Sequence, residues 1–340
     1  MPDQTFGPVT ILGDGQFGLV MSDALAAAGT PVRIWCPGVS GGPSLAETRT
    51  APHRLAGFRL DDAVEVTHDL AAALAGAGGI LNAIPTQFVR DVWSRPELVA
   101  AAAANLPVVC VSKGIEVGTL LRPTEVMEDA VGRPLVACSL SGPTIAAELA
   151  RRQPATMVAA SDDESLARAV QVAFGAPWLR VYRHDDLVGT ELAGAAKNVI
   201  ALAAGIVDGL EAGDNAKSAL LARGLAEIAR LGTAHGARVE TFFGVAGVGD
   251  LATTCFSPHG RNRTCGERIG RGESLDAILE STVSVVEGVP TTRAIAELAE
   301  RASVDMPIVM AVRSILFEGR TPDEAIRELM GRSPKAERIG

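Results

Sequence analysis

The order of apolar and polar positions divides the chain into two parts. The first part carries short apolar runs without strict alternation, which is typical of strands buried in a parallel sheet. Helical patterns separate several of these runs, and one pattern, over residues 16–28, is ended by Gly29 and followed by Pro31. The predicted strands are PVTILG, PVRIWC, GILNAI, PVVCVS, PLVACSLS, ATMVAAS and WLRVYR.

Strand signals end near residue 187, and long helical patterns follow. They are ELAGAAKNVIALAAGIVDGL, KSALLARGLAEIARLGTAHG, TTRAIAELAERA and PIVMAVRSILFEG. We therefore predict an α/β protein, with a Rossmann-type parallel sheet domain over residues 1–187 and an all-helical domain over residues 188–340. The Gly/Pro/Ser-rich stretch 38–54 shows no clear element.

Composition and charge narrow the class of protein. Of 340 residues, 47% are hydrophobic and only 4% aromatic, so Ala, Leu, Val and Ile must build the core. The formal net charge of -9 argues against nucleic-acid binding, and any anionic ligand needs a local basic pocket. The five cysteines lack C-x-x-C spacing and are predicted to be cytosolic thiols. We see no secretory signal and no apolar run of about 18 residues, so we expect a cytoplasmic protein without a membrane span.

The stretch ILGDGQFGLV has the spacing G-x-G-x-x-G at Gly13, Gly15 and Gly18. It lies between a predicted strand and a predicted helix. In that setting the glycines permit a tight turn, a close approach of the backbone to a pyrophosphate, and close packing of helix on strand. Asp14 lies inside the motif, but backbone N–H groups hold the phosphates, and its carboxylate can point away to solvent.

The end of the second strand leaves the choice between NAD and NADP open. An acid there would bind the ribose 2′-hydroxyl of NAD, and a base would bind the 2′-phosphate of NADP. The residues at this place are Trp35-Cys36-Pro37, and the nearest bases are Arg33 and the more distant Arg49.

Polar residues interrupt the apolar helix GTELAGAAKNVIALAAG at Glu191, Lys197 and Asn198. A buried lysine is costly unless it is paired, and such residues cluster at functional sites. A lysine at a helix edge can also extend its ammonium group to solvent, and both interpretations of Lys197 stay open here.

Other segments carry groups suited to an anionic substrate. Lys113 follows a strand end, Gly142, Pro143 and Thr144 form a strand-to-helix turn, and Asp250 follows a flexible glycine run. The segment HGRNRTCGERIGR concentrates arginines that suit phosphate or form a solvated basic face, namely Arg261, Arg263, Arg268 and Arg271. Glu287 precedes a helix, where it serves the site or caps the helix. No spacing of histidine or cysteine indicates a metal, and no G-x-S-x-G motif indicates a hydrolase.

Ten segments in order make the chain resemble the NAD(P)-dependent glycerol-3-phosphate dehydrogenase family over roughly residues 8–335. They are GDGQFG, IPTQFVRDV, VSKGIE, LSGPTIAAELA, ELAGAAKNVIALAAGIVDGL, DNAKSALLARGLAEIARLG, GVAGVGDLATTC, RNRTCGERIGRG, VVEGVPTT and MPIVMAVRSILFEG. The resemblance implies a Rossmann-type domain, a helical domain and an active site between them. It also implies a homodimer that uses NAD or NADP to reduce dihydroxyacetone phosphate to sn-glycerol 3-phosphate for glycerophospholipid synthesis.

The same resemblance assigns roles to residues of this chain. Lys197 matches the catalytic general acid and base. The expected substrate-binding residues are Lys113, Gly142, Thr144, Asn198, Asp250, Thr254, Gly260, Arg261 and Asn262. The expected cofactor-binding residues are Gly13, Gly15, Gln16, Phe17, Gly18, Phe88, Lys113, Ala146, Arg261, Val285 and Glu287. No metal is implied.

Four residues depart from the family pattern. Asp14 and Gln16 stand where small residues are usual, Pro37 replaces a basic or polar residue, and Gly260 replaces a serine while keeping a backbone N–H. These departures concern ligand affinity rather than the chemical step. The alternatives are a related dehydrogenase of 2-hydroxy acids or phosphates, and a nucleotide-binding sensor that has lost activity.

Overall fold

Two compact units form in the computed structural model, which describes residues 7–37, 44–282, 284–334 and 336. The first unit comprises residues up to 112 together with 123–187, and the second comprises 113–122 together with the residues from 188 onward. Segment 113–122 therefore belongs by its contacts to the second unit. The division into a cofactor domain over 1–187 and a substrate domain over 188–340 stays a prediction.

The first unit contains an eight-stranded sheet with the order β3-β2-β1-β4-β5-β6-β7-β8. The strands are β1 (Val9–Leu12), β2 (Val32–Trp35), β3 (Glu65–Thr67), β4 (Gly79–Asn82), β5 (Val108–Cys110), β6 (Ala137–Ser141), β7 (Ala155–Ala160) and β8 (Leu179–His184). Strands β1 to β6 are parallel, and β1 lies between β2 and β4. Both β1 and β4 are buried at every position, which explains their continuous apolar runs. The predicted Rossmann-type sheet is confirmed.

Helices of the first unit form two packed groups, as expected for a sheet with helices on both faces. One group contains α1, α7 and α8, and the other contains α3 to α6. The helices are α1 (Gln16–Ala27), α2 (Leu45–Thr48), α3 (Leu70–Leu74), α4 (Val89–Trp93), α5 (Pro96–Ala103), α6 (Pro123–Val131), α7 (Ala146–Ala150) and α8 (Glu164–Phe174).

Local features of the first unit differ from the sequence prediction. Strand β7 is antiparallel to β6, because the connection 142–154 holds only the five-residue α7 instead of a full crossover helix. Strand β3 was not predicted, since this half-exposed edge strand of three residues has no apolar run. Within the stretch 38–54, a capping box between Ser44 and Glu47 begins α2. Residues 38–43 of that stretch lie outside the described residues.

The regular secondary structure in the described part of the second unit is helical. They are α9 (Leu187–Gly209), α10 (Asp214–Ala234), α11 (Val239–Phe243), α12 (Asp250–Phe256), α13 (Arg261–Gly270), α14 (Leu275–Glu280), α15 (Gly288–Arg301), α16 (Pro307–Phe317) and α17 (Pro322–Gly331). By length and composition α9 is apolar enough to span a membrane, but 89% of its apolar window is buried inside the protein. Its residues Val199, Ile200 and Leu202 are fully buried in the helical core.

Helices α9 and α13 cross with their backbones in close contact. A Cβ atom on Gly205 would lie 1.9 Å from the carbonyl oxygen of Arg263, and one on Gly266 would lie 2.0 Å from that of Leu202. Only glycine permits this approach at both positions. The crossing brings the start of α13 close to the middle of α9.

A buried acid on α10 caps the start of α16. Glu227 is 2% exposed and accepts hydrogen bonds from the N–H groups of Ile308 at 2.8 Å and Val309 at 3.3 Å. These N–H groups have no partner within their own helix, because they belong to its first turn. Burial raises the pKa of Glu227 to about 7, although the two N–H groups and Arg230 act in the opposite direction.

We predict that Glu227→Gln changes how stability depends on pH. A carboxyl whose pKa is raised by folding stabilises the folded state fully below its unfolded pKa of about 4.5. This stabilisation is lost as the pH rises through about 7. We compare the free energy of unfolding of the variant with that of the native chain at each pH. The difference, variant minus native, should be larger at pH 8 than at pH 5 by on the order of 3 kcal/mol. Urea denaturation at both pH values measures this, with the exposed Glu240→Gln as control. An equal difference at both pH values would contradict it.

Candidate active site

Three charged side chains and one hydroxyl meet in the second unit. Nζ of Lys113 lies 2.6 Å from Oδ2 of Asp250, and Nζ of Lys197 lies 2.9 Å from Oδ1 of the same carboxylate. Lys197 also donates to Oγ1 of Thr254 at 2.6 Å, and this hydroxyl donates to Asp250 Oδ1 at 3.3 Å. Lys197 is 7% exposed and Asp250 is 2% exposed. We call these four residues the Asp250 cluster.

The Asp250 cluster carries two ammonium groups for one carboxylate. Burial alone would raise the pKa of Asp250, but Lys113 and Lys197 outweigh burial and hold this pKa below its usual value. Burial lowers the pKa of Lys113 to about 8, while Asp250 acts in the opposite direction. Below that pH the cluster has a net positive charge, which suits an oxygen that becomes negative during a reaction.

A π-helical turn over Val245–Gly249 precedes Asp250, the first residue of α12. The sequence predicted a flexible glycine run here, and this expectation was wrong. Gly247 is packed so closely that a Cβ would lie 2.2 Å from the carbonyl oxygen of Phe242. Such wide turns within helices are frequent at functional sites, because they change the direction of the next side chain.

Lys113 is carried by the segment 113–122, which several contacts hold in the second unit. Nη1 of Arg122 lies 2.5 Å from Oε2 of Glu191 on α9, and the Glu191 side chain is fully buried. Ile115 and Leu120 join the apolar core around α9. These contacts fix the backbone that presents the Lys113 ammonium group to Asp250.

Two buried asparagines connect Lys113 to the starts of α13 and α15. Nδ2 of Asn198 donates to the carbonyl oxygen of Lys113 at 2.9 Å, and Nδ2 of Asn262 donates to Oδ1 of Asn198 at 2.9 Å. Oδ1 of Asn262 accepts from the N–H of Gly288 at 2.9 Å. This chain of bonds fixes the orientation of both amides, and it gives them a positioning role that the sequence did not indicate.

Arginines near the start of α13 have different environments. Arg261 begins the helix, and its exposed side chain donates from Nη1 to the carbonyl oxygen of Val285 at 3.0 Å. The others lie in ion pairs, which are Arg263 with Asp208 at 2.6 Å, Arg268 with Glu273 at 2.6 Å and Arg271 with Glu267 at 2.5 Å. The predicted basic segment is therefore largely neutralised, and Arg261 is its best candidate for an anionic ligand.

Two expectations for the neighbouring turns change with the structure. Gly260 caps α13, but its N–H donates to the carbonyl oxygen of Ser257 at 3.3 Å and is used within the turn. Glu287 occupies the N-cap position of α15, where the capping interpretation places an acid, but its side chain forms no capping hydrogen bond there.

The glycine loop of the first unit fits a dinucleotide pyrophosphate. Gly13 has a φ of +102°, and a Cβ on Gly18 would lie 2.1 Å from the carbonyl oxygen of Gly13. Nothing lies within 4 Å of the place where a Cβ on Gly15 would stand, so this side of the loop is open. The loop leads into α1, whose N-cap has no side-chain capping bond. A tight turn, an open approach and the positive end of a helix are the features that pyrophosphate binding needs.

Asp14 does not point away to solvent, and this expectation was wrong. Its carboxylate forms an ion pair with Nη1 of Arg54, and its side chain is only 14% exposed. The same Nη1 donates to the Asp14 carbonyl oxygen at 2.7 Å. The predicted cofactor residue Gln16 donates from Nε2 to the carbonyl oxygen of Arg54. The acid within the motif is therefore neutralised.

The other predicted residues of the first unit follow the carboxyl ends of parallel strands. Phe88 ends a 3-10 turn after β4 and is exposed, and Phe17 is the second residue of α1. After β6, the hydroxyl of Thr144 donates to the carbonyl oxygen of Gly142 at 3.0 Å, and Ala146 begins α7. Because β1, β4 and β6 are parallel, these loops lie along one edge of the sheet.

Comparisons with known proteins agree over nearly the whole chain. The family models of NAD-dependent glycerol-3-phosphate dehydrogenase match residues 8–167 for the N-terminus and 186–327 for the C-terminus. This chain belongs to the NAD-dependent glycerol-3-phosphate dehydrogenase family.

Named relatives support the same family. Glycerol-3-phosphate dehydrogenases [NAD(P)+] of Geobacillus thermodenitrificans and Prosthecochloris aestuarii are 45% and 43% identical, over 97% of this chain and 96% and 99% of theirs. The crystal structure of glycerol-3-phosphate dehydrogenase from Coxiella burnetii superposes with a TM-score of 0.91 at 31% identity, covering 96% of this chain and 99% of that chain. The predicted resemblance, the class of NAD(P)-dependent oxidoreductase and the use of NAD or NADP are confirmed.

The sequence analysis did not predict two ion pairs that lie next to predicted site residues. They are Arg122 with Glu191 and Arg54 with Asp14. Glu191 was visible as an acid in an apolar helix, which signals a buried partner. Its partner Arg122 is 69 residues away in sequence, and no local pattern marks it. Arg54 was missed for the same reason, since it lies 40 residues from Asp14.

We predict that Glu191→Ala destabilises the protein by about 3 kcal/mol, because the partly buried Arg122 keeps its charge after losing this carboxylate. The double variant Arg122→Met/Glu191→Leu removes both charges and should lose less stability than Glu191→Ala. Urea denaturation at pH 7 measures both variants. A loss below 1 kcal/mol for Glu191→Ala would show that the pair does not hold segment 113–122.

Proposed function

We propose that the protein reduces dihydroxyacetone phosphate to sn-glycerol 3-phosphate, and catalyses the reverse oxidation, with Lys197 as general acid and base. One observation carries this proposal in a chain of this family. The Lys197 ammonium group is almost fully buried, yet it is held in place by Asp250 at 2.9 Å and Thr254 at 2.6 Å. Such a group is positioned to donate a proton without rearrangement of its surroundings.

A bound dihydronicotinamide supplies the hydride for the ketone carbon. As negative charge grows on the ketone oxygen, Lys197 stabilises it and donates the proton, and in the reverse direction the neutral amine accepts the proton. Lys113 adds a second positive charge, while Asp250 holds both ammonium groups and limits their repulsion.

The substrate phosphate is assigned to the start of α13. Arg261 offers a planar fork of donors there, and the helix begins without a side-chain capping bond. Asn262 and Asn198 keep this helix start next to Lys113. Binding of a phosphate remote from the ketone helps to hold the reacting carbon in place, which lowers the barrier through orientation.

The cofactor is assigned to the first unit as the dinucleotide-binding domain, and the substrate to the second. The glycine loop supports this assignment through its open side at Gly15 and the unblocked start of α1. The same sheet edge carries the other residues of the first unit that we assign to the ligands, which are Phe88, Gly142, Thr144 and Ala146. Val285 and Glu287 are assigned to the cofactor through their neighbour Arg261.

The proposal includes a homodimer in the cytoplasm, with the product used in glycerophospholipid synthesis. All five cysteines are free and buried, which supports a reducing compartment. Sedimentation of the purified protein tests the dimer, since a homodimer has twice the mass of the 35.2 kDa chain.

We predict that Lys197→Met lowers kcat for dihydroxyacetone phosphate by about 100- to 10,000-fold, because the positioned proton donor is lost. The dissociation constant of the reduced dinucleotide should stay within about twofold of native, because the recorded bonds of the Lys197 side chain go to Asp250 and Thr254, which are assigned to the substrate. Stopped-flow single turnovers and calorimetric titration measure the two quantities separately.

Lys217→Met is the matched control. Lys217 is also 7% exposed and is ion-paired, with Asp208 at 2.7 Å, but it lies outside the Asp250 cluster. This variant should lose stability and keep its kcat. A Lys197→Met variant with nearly native kcat would contradict the general-acid role. A native protein that binds dinucleotide without turnover would favour the sensor over the enzyme.

A further inference from the structure

Position and contacts place the Asp14–Arg54 ion pair at the carboxyl end of β2. The N–H of Gly13 donates to the carbonyl oxygen of Trp35, the last residue of β2, at 3.0 Å. Asp14 follows directly in the chain. In doubly wound sheets this is the place where the ribose 2′ position of a bound dinucleotide is recognised. Trp35-Cys36-Pro37 contains no acid or base for the ribose 2′ position. Asp14, in the glycine loop, lies where such a residue is expected.

Several contacts fix the Asp14 carboxylate in this place. Arg54 binds it from one side, and its negative charge acts on the buried thiol of Cys36, the residue that follows β2. Burial, with a further contribution from Asp14, raises the pKa of Cys36 to about 12, so this thiol stays protonated and neutral. Gln16 holds Arg54 through its carbonyl oxygen. The acid, its counter-ion and their supports are therefore built into one arrangement.

The charge of the pair decides which dinucleotide it favours. A ribose 2′-hydroxyl can donate to the Asp14 carboxylate in a charge-assisted hydrogen bond. A 2′-phosphate would approach the same carboxylate, and this repulsion would cancel most of its attraction to Arg54 at a similar distance. The 2′-phosphate would also lose part of its hydration on binding. No net attraction would then offset the free-energy cost of this desolvation.

We propose that Asp14 and Arg54 together select NAD(H) over NADP(H). Asp14 supplies the acceptor for the ribose 2′-hydroxyl, and Arg54 orients this acceptor and neutralises it toward the pyrophosphate. This inference rests on the proposed dinucleotide binding and adds its specificity. It also explains how an acid is tolerated within the G-x-G-x-x-G spacing.

Dissociation constants for NADH and NADPH, measured by calorimetric titration of the purified full chain, test the proposal. The native chain should bind NADH about tenfold or more tightly than NADPH, the range expected for one charge-assisted hydrogen bond. In Asp14→Asn the carboxylate charge is gone and Arg54 is released for the 2′-phosphate, so the ratio should shift at least tenfold toward NADPH. In Arg54→Gln an uncompensated Asp14 faces the pyrophosphate, and both dinucleotides should bind more weakly.

The matched control is Asp129→Asn, which breaks another arginine ion pair of the first unit, Arg90 with Asp129 at 2.5 Å. It should leave the NADH to NADPH ratio unchanged. A native preference for NADPH, or a ratio in Asp14→Asn within twofold of native, would overturn the specificity while dinucleotide binding stood. If the native chain bound neither dinucleotide, the proposed function would fail together with the inference.

Discussion

A single buried carboxylate, Asp250, is the counter-ion of two ammonium groups, and the arrangement of the proposed active site depends on this interaction. Lys113 and Lys197 come from distant parts of the chain, and their charges would repel each other without it. The long apolar α9 fixes Lys197, the π-helical turn directs Asp250, and the Arg122–Glu191 pair holds the backbone of Lys113. Each of these elements has a clear role once the position of the carboxylate is given.

Both proposed ligands are anions, although the protein has a formal net charge of -9. Anionic ligands need local positive charge, and a few cations held by acids or carbonyl groups supply it. Lys113 and Lys197 are held by Asp250, Arg54 is held by Asp14, and Arg261 is held by the Val285 carbonyl oxygen. Paired cations of this kind are oriented before a ligand arrives, which reduces the entropy lost on binding.

Periodicity predicted the long elements, and local motifs singled out Lys113, Lys197 and Asp250, because these features are encoded locally. Thr254 came only from the resemblance to the family. Strand β3 and helix α2 were missed, since a few residues at an edge or in a loop carry little periodic signal. The direction of β7 depends on a short connection, and the environment of Asp14 depends on an arginine 40 residues away. Long-range partners of this kind follow from the fold, and no single stretch of sequence contains them.

The pH dependence of kcat/KM for dihydroxyacetone phosphate, in the native protein and in Asp250→Asn, tests the role of the shared carboxylate most directly. This ratio reports ionisations of the free enzyme. In the native protein it should fall as the pH rises past about 8, where Lys113 loses its proton. Because Asp250 raises the pKa of Lys113, the fall should move to lower pH in the variant, with a lower maximum. A fall at the same pH in both proteins, with an unchanged maximum, would contradict the account.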